Sequence, residues 1–275
     1  MTDAYLDTSV VCDAIGIGGA SKASVAAASL AKYARTELPT YAIRELRAGA
    51  LANHIYAHNC VASSTTLDEA IDKMGRVGGF QPRKTQVALA ALIRAVAAAY
   101  TTASSGSKST QRKVDPLREA ERILANKTIA MWASRNTVAT AVVQPLSCYA
   151  DAELTFQGRL LAYPSSAGGC AGAKVCGAAQ LLNQDKSSVT KAHLSLKLPK
   201  GTADGREKLE TTKRRDALKS IANRPIDEFP LKSCRAIGDA YFCLMAPAGS
   251  TILTTNTSDF QAMADALGKT ISGLT

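Results

Sequence analysis

Four acidic residues stand far apart in the chain, each in a setting that could aim it at a shared point. Asp7 ends the apolar run Ala4-Tyr5-Leu6, and Glu45 lies in Ile43-Arg44-Glu45-Leu46. Asp239 follows Gly238, and Asp259 closes the run Leu253-Thr254-Thr255-Asn256-Thr257-Ser258-Asp259-Phe260. Carboxylates that converge repel one another, and a fold retains such a group when a cation offsets it. A hard divalent ion, Mg²⁺ or Mn²⁺, suits their oxygens. Such an ion can hold a scissile phosphate, lower the pKa of a bound water and offset charge on the leaving oxygen. Metal-dependent phosphodiester hydrolysis is therefore the chemistry these residue types point to. Singly, each acid has a plainer reading: a turn cap for Asp7, a helix N-cap for Asp239, a solvated helix residue for Glu45 and an Asx-turn for Asp259.

The elements that must position these acids follow from apolar periodicity and capping. Residues 4–11 read as a short buried strand. Ala20 to Leu38 reads as an alanine-rich helix ended by Pro39. Thr40 can cap a helix that begins near Tyr41 and carries Glu45 beside the stripe Ile43, Leu46, Ala50 and Leu51. Further helices are expected over Leu67–Met74, capped by Ser64, Thr65 or Thr66, and over Thr85–Thr102. An exposed loop follows over Ser104–Val114. Asp115 as cap and Pro116 at the first position open another helix, to Ser134. Residues 138–143 and 154–163 are strand-like, and Ser187–Leu198 alternates again. Gly205–Asn223 is a charged helix. The chain closes with a helix over Ala240–Ala246, a strand over Ser250–Thr254 and a helix over Gln261–Leu267. Strands separated by helices imply a parallel sheet covered on both faces. In such sheets ligands bind beyond the carboxyl ends of the strands, the edge from which Asp7 and Asp259 would emerge. At a helix start, the charge of Asp239 is tolerated.

At 275 residues with 46% hydrophobic and 20% charged, the chain can bury a real core, which argues against global disorder. No run of about 18 apolar residues predicts a membrane span, and no basic-then-apolar leader opens the chain. The seven cysteines are odd in number and loosely spaced, so reduced thiols and a cytoplasmic location are expected. The charge distribution says more than its total of +10. Between Arg76 and Lys232 there are 25 Lys and Arg against 12 Asp and Glu, whereas the flanks together hold 8 against 11. A basic middle beside an acidic centre suits a polyanionic substrate, although a solvated basic surface is the bland alternative.

Together, Tyr5-Leu6-Asp7-Thr8-Ser9, Ile43-Arg44-Glu45-Leu46, Gly238-Asp239-Ala240 and Leu253 to Phe260 resemble the PIN domain, in particular its toxin-type branch. The resemblance covers roughly the first 75 and the last 45 residues. It implies a three-layer α/β/α nuclease fold with a central parallel sheet, a divalent metal and cleavage of RNA. By position it carries over Asp7, Glu45, Asp239 and Asp259 as catalytic, metal-binding acids, with Ser9 and Asn256 as polar support. It also implies a toxin or defence role, with an antitoxin protein as partner and homodimers as a common state. The expected organisation is a discontinuous core, residues 1–75 and 228–275, interrupted by a basic insertion of mixed α and β character over 76–227. That insertion departs from the family pattern.

Within the insertion Arg112, Lys113, Lys213, Arg214 and Arg215 are candidates to hold RNA phosphates. Tyr149, Phe156 and Tyr163 could stack on bases, with core packing the preferred reading. Cys148, Cys170, Cys176 and Cys234 could bind a structural Zn²⁺. The Cys170 to Cys176 gap is wider than a usual knuckle, so buried thiols are preferred. His54 and His58, four apart on one helix, read as surface residues rather than a metal pair. Two other functions use the same features: a non-catalytic nucleic-acid-binding protein on this scaffold, and a metal-dependent DNase.

Overall fold

Ala4, Tyr5 and Leu6 are all buried, as a strand covered on both faces must be. They form β1 (Ala4–Leu6), the middle strand of a five-stranded sheet. The computed structural model describes residues 2–76, 82–105, 115–163, 175–197, 205–225 and 234–275. The other sheet strands are β2 (Thr36–Pro39), β3 (Ala141–Val143), β6 (Thr251–Leu253) and β7 (Thr270–Ser272), in the order β3-β2-β1-β6-β7. Every pairing is parallel, with Ala4 opposite Thr36 on one side and opposite Thr251 on the other. The protein is thus α/β, with a parallel sheet flanked by helices.

The chain divides into two compact units. The sheet unit comprises Met1–Arg44, Arg135–Asp151 and Ser166–Thr275, and the helical unit comprises Glu45–Ser134 and Ala152–Ser165. The boundary falls inside α3 (Thr40–Ala48). This division runs differently from a core of 1–75 and 228–275 with one insertion. Ala141–Val143 adds a parallel strand beside β2, so residues expected in the insertion complete the sheet.

In the sheet unit, α1 (Thr8–Ala14) and α2 (Ala20–Leu30) follow β1. Tyr41 stacks on Tyr241 at 4.2 Å between ring centroids and meets Phe242 edge-on, and Phe242 in turn meets Tyr5 and Phe260. Their contact joins α3 to α12 (Ala240–Met245) and α13 (Thr257–Leu267). The remaining helices of this unit are α8 (Gly177–Leu182), α9 (Lys186–Ser195), α10 (Gly205–Asn223) and α11 (Cys234–Ile237).

Three local expectations are corrected. Residues 36–39 form β2, not the end of a long helix, because Leu38 is buried between β1 and β3 and tertiary pairing overrides alanine-rich propensity. Ser187–Leu198 is largely helix α9; Val189 and Ala192 are buried, a three-residue spacing that puts one helical face inward. Residues 4–11 split after Leu6, since Thr8 begins α1.

The helical unit is built from α4 (Ala50–Ala62), α5 (Leu67–Gly75), α6 (Pro82–Ser105) and α7 (Pro116–Ser134) around a core including Val61, Met74, Leu92, Leu117 and Leu124. Thr66 caps α5 by accepting a hydrogen bond from Glu69 N at 3.2 Å, and Asp115 caps α7 through Leu117 N at 3.0 Å. The hairpin of β4 (Thr155–Gln157) and β5 (Leu160–Ala162) turns at Gly158, φ +63°. Asn59 of α4 pairs with Leu161 like an extra strand, donating to its carbonyl at 2.9 Å and accepting from its N–H at 2.8 Å. His54 and His58 are 2% and 1% exposed, so the surface reading of these residues is corrected: both lie on the inner face of α4. Among the described residues, no helix is long and apolar enough to cross a membrane.

Candidate active site

The strand order fixes where a site can form. From β1 the chain builds outward through β2 and β3, then returns to the opposite side of β1 as β6. At such a switch point the connections leave in opposite directions and a crevice opens beyond the strand ends. Asp7 directly follows β1 and Thr254 directly follows β6. The Asp7 N–H donates to the Leu253 carbonyl at 3.0 Å, which carries the pairing up to the crevice.

Asp7 is 6% exposed. One of its carboxylate oxygens, Oδ2, accepts from Ser9 Oγ at 2.5 Å and from Thr254 Oγ1 at 2.8 Å. Burial pushes its pKa above the usual carboxylate range, although both hydroxyls favour the ionised form. The hydroxyls are themselves held: Thr255 N donates to Ser9 Oγ at 3.1 Å and Asn256 N to Thr254 Oγ1 at 3.1 Å. The Asn256 side chain donates to Asp259 Oδ2 and accepts from Ser258 Oγ at 2.8 Å. The segment after β6 thus ties Asp7 and Asp259 into one hydrogen-bonded chain. Ser9 and Asn256 were legible as polar support; Thr254 was not singled out, though it is a hydroxyl at a strand end within that same motif.

Asp239 precedes α12 but its side chain caps nothing. Instead its Oδ2 accepts from Arg214 Nη2 at 2.8 Å, with the two side chains 27% and 19% exposed. Burial pushes the Asp239 pKa up to about 6; Arg214 pulls it down, while the charges of Asp7 and Asp259 add to the rise. Gly238 makes the ion pair possible. It has φ +51°, and a Cβ there would stand 3.1 Å from Arg214 Nη2. Arg214 Nε is buried without a hydrogen-bond partner among the described residues. Beside the pair opens a cavity of about 520 Å³, lined among others by Lys197, Glu210, Arg214, Ser258 and Asp259.

No protein-family model, curated protein or solved structure matches the chain. The chemistry of the site therefore has to be read from its own residues.

The carboxylates and hydroxyls are the donor types a hard divalent ion takes. Their arrangement is another matter. Among the described residues no three ligating side chains stand at metal-binding spacing, and Asp239 is held by an arginine. Glu45 belongs to the helical unit, half-buried on α3, whereas the other three expected acids belong to the sheet unit.

Arg214, a candidate to hold RNA phosphates, donates to Asp239. Lys213 is exposed and Arg215 half-buried on the same helix, the Arg215 carbonyl lying 3.1 Å from His193 Nδ1. Arg112 and Lys113 lie outside the described residues. Phe156 is exposed and meets His58 edge-on, whereas Tyr163 packs against Trp132 beneath Arg47. Cys148, Cys176 and Cys234 are buried, and a hydrogen bond with Cys234 pulls the Cys176 thiol down to about 7 against the effect of burial. Cys170 lies outside the described residues.

Proposed function

We propose that the sheet unit is the reaction centre of a divalent-metal-dependent nuclease that hydrolyses RNA, with a PIN-like α/β/α fold and a toxin or defence role. The observation that carries this reading is Asp7 at the β1–β6 switch point, buried, held by two hydroxyls and tied through Thr254 and Asn256 to Asp259. Asp7, Asp239 and Asp259 would hold Mg²⁺ or Mn²⁺; when bound, the metal lowers the pKa of water and offsets charge on the phosphate. Ser9, Thr254 and Asn256 orient the carboxylates. The basic excess between Arg76 and Lys232 supports a polyanionic substrate.

The test is cleavage of single-stranded RNA and DNA in parallel, with Mg²⁺ or Mn²⁺ and with chelator. RNA cleavage by wild type, lost in Asp7→Asn and in Asp239→Asn, is the expected result. Cutting that survives both substitutions defeats the assignment, and a preference for DNA makes the protein a DNase. The Arg214–Asp239 ion pair favours one second reading, a nucleic-acid-binding protein without turnover. In that case both aspartate variants bind RNA as wild type does and none of the three proteins cuts.

A further inference from the structure

Helices α9 and α10 carry eight Lys and Arg against three Asp and Glu, which is half of the chain's net charge of +10. The two run antiparallel. Asn183, before α9, donates from Nδ2 to the Ile221 carbonyl at 2.8 Å, and His193, near the end of α9, lies against Arg215. A carbonyl only accepts, so His193 Nδ1 donates to the Arg215 oxygen, at 3.1 Å. Along this seam opens a groove of about 230 Å³, lined by His193 from α9 and by Thr212, Arg215, Asp216 and Lys219 from α10. The α10 residues recur at helical spacing and form one stripe, which Lys208 continues one turn earlier. Lys208 and Lys219, both exposed, stand 11 residues apart, about 16.5 Å along the axis.

We propose that this groove holds backbone phosphates of the RNA strand, with Arg215 and Lys219 as the main contacts and Lys208 extending the track. This rests on RNA being the substrate, as read above. Among the described residues Arg215, Lys219 and Asp216 form no ion pair, so the one acid of the groove does not take up the charge of its cations. Cations four apart on one helix face repel each other. A polyanion relieves that repulsion and releases its condensed counterions as it binds. The guanidinium of Arg215 offers a planar fork that matches phosphate oxygens. Thr212 already donates its proton to the Lys208 carbonyl at 2.8 Å, which leaves the contacts to the cations. Phosphates of one duplex strand recur about every 3.4 Å, so the stripe spans more than one of them and suits a strand better than a free phosphate. The neighbouring face of α10, with Glu210, Thr211 and Arg214, lines the larger cavity that also takes in Asp259. A strand in the groove therefore lies one helix face away from that cavity. Of the three consecutive cations, Lys213 is exposed, Arg214 serves Asp239 and Arg215 serves the groove.

The experiment is fluorescence anisotropy of a labelled single-stranded RNA titrated with the full chain in EDTA, across a KCl series, so that binding is read without cutting. Wild type is compared with Arg215→Gln, Lys219→Gln, the double variant and Lys22→Gln, which removes the same charge from α2. Thermal melts verify that each is folded. Each groove substitution is expected to weaken binding and to make the slope of log affinity against log salt shallower by about 0.7, the double variant by about 1.4. Lys22→Gln is expected to keep the wild-type slope. Wild-type slopes in both groove variants overturn the proposal. An equal change in Lys22→Gln overturns it as well, since binding then follows net charge alone. Displacement of the RNA by inorganic phosphate beyond that by KCl of the same ionic strength also overturns it, since the groove is then a site for free phosphate. If wild type does not bind the RNA, the groove falls; cutting of that RNA on adding Mn²⁺ leaves the nuclease reading standing, and no cutting takes both down. Should Arg215→Gln fail to fold, Lys219→Gln decides by the same signs.

Discussion

His54 lies inside the helical unit at 2% exposure, and neither ring nitrogen has a hydrogen-bond partner among the described residues. Burial, reinforced by the charges of Lys127 and Arg94, holds its pKa down to about 4. In the unfolded chain the same imidazole protonates near 6.5. Between these values the unfolded chain binds the extra proton, so acid favours unfolding across that window. The stability tied to the neutral ring is intact above 6.5 and lost as pH falls towards 4. Full protonation costs about 3 kcal/mol, of which about 2.5 kcal/mol is already lost at pH 4.5. Against a domain stability of roughly 5–15 kcal/mol that is a large share. His54→Leu is similar in size, has no proton to take up and removes two unpaired nitrogens. Trp132, the single tryptophan, lies buried on α7 in the same unit and reports its unfolding by fluorescence. Urea unfolding at pH 7 and pH 4.5 gives the comparison. Wild type is expected to lose about 2.5 kcal/mol more than His54→Leu between the two pH values. Groups that titrate in both proteins cancel in that difference. An equal pH dependence in the two proteins would refute the argument.

Gly238→Ala forces a side chain into a backbone at φ +51° and against Arg214, so a loss of about 1–2 kcal/mol is expected. Urea midpoints followed by far-UV circular dichroism measure it, and an unchanged midpoint removes the role given to this glycine. Thr254→Val keeps the shape of the side chain but takes one of two hydroxyl donors from the buried Asp7 carboxylate. A loss of about 1–3 kcal/mol is expected at neutral pH, shrinking in acid as Asp7 takes up a proton. The same unfolding experiment at pH 7 and pH 4.5 checks both the size and the trend.

Where the sequence was legible, the signal was local. Asp115-Pro116 marks the start of α7, Thr66 the start of α5, and the charged run Gly205–Asn223 is α10 over its full length. The strand end at Leu253 was legible in the same way, as the last residue of β6. What stayed hidden depended on partners far along the chain. Residues 36–39 are a strand because β1 and β3 lie on either side of them, and nothing within the segment announces that. Alternation in Ser187–Leu198 suited a strand as well as a helix, and burial of Val189 and Ala192 decided it. Strand β7 was not foreseen; its pairing to β6 is what makes residues 270–272 extended. Arg214 carried no mark to separate it from Lys213 and Arg215, since its partner Asp239 lies 25 residues further along the chain.

The central position of β1 has a consequence in time. Its pairing with β6 sets Ala4 opposite Thr251, and Asp7 meets its hydroxyl partner 247 residues downstream. At synthesis rates of about 5–20 residues per second, that separation takes roughly 12 to 50 seconds to emerge from a ribosome. Through that interval β1 can be flanked on one side at most, and the three aspartates remain on separate stretches of chain. The helical unit ends at Ser165, so all of its residues have been made before β6. The acidic centre is therefore among the last features of the nascent protein to exist, and an incomplete chain does not carry it.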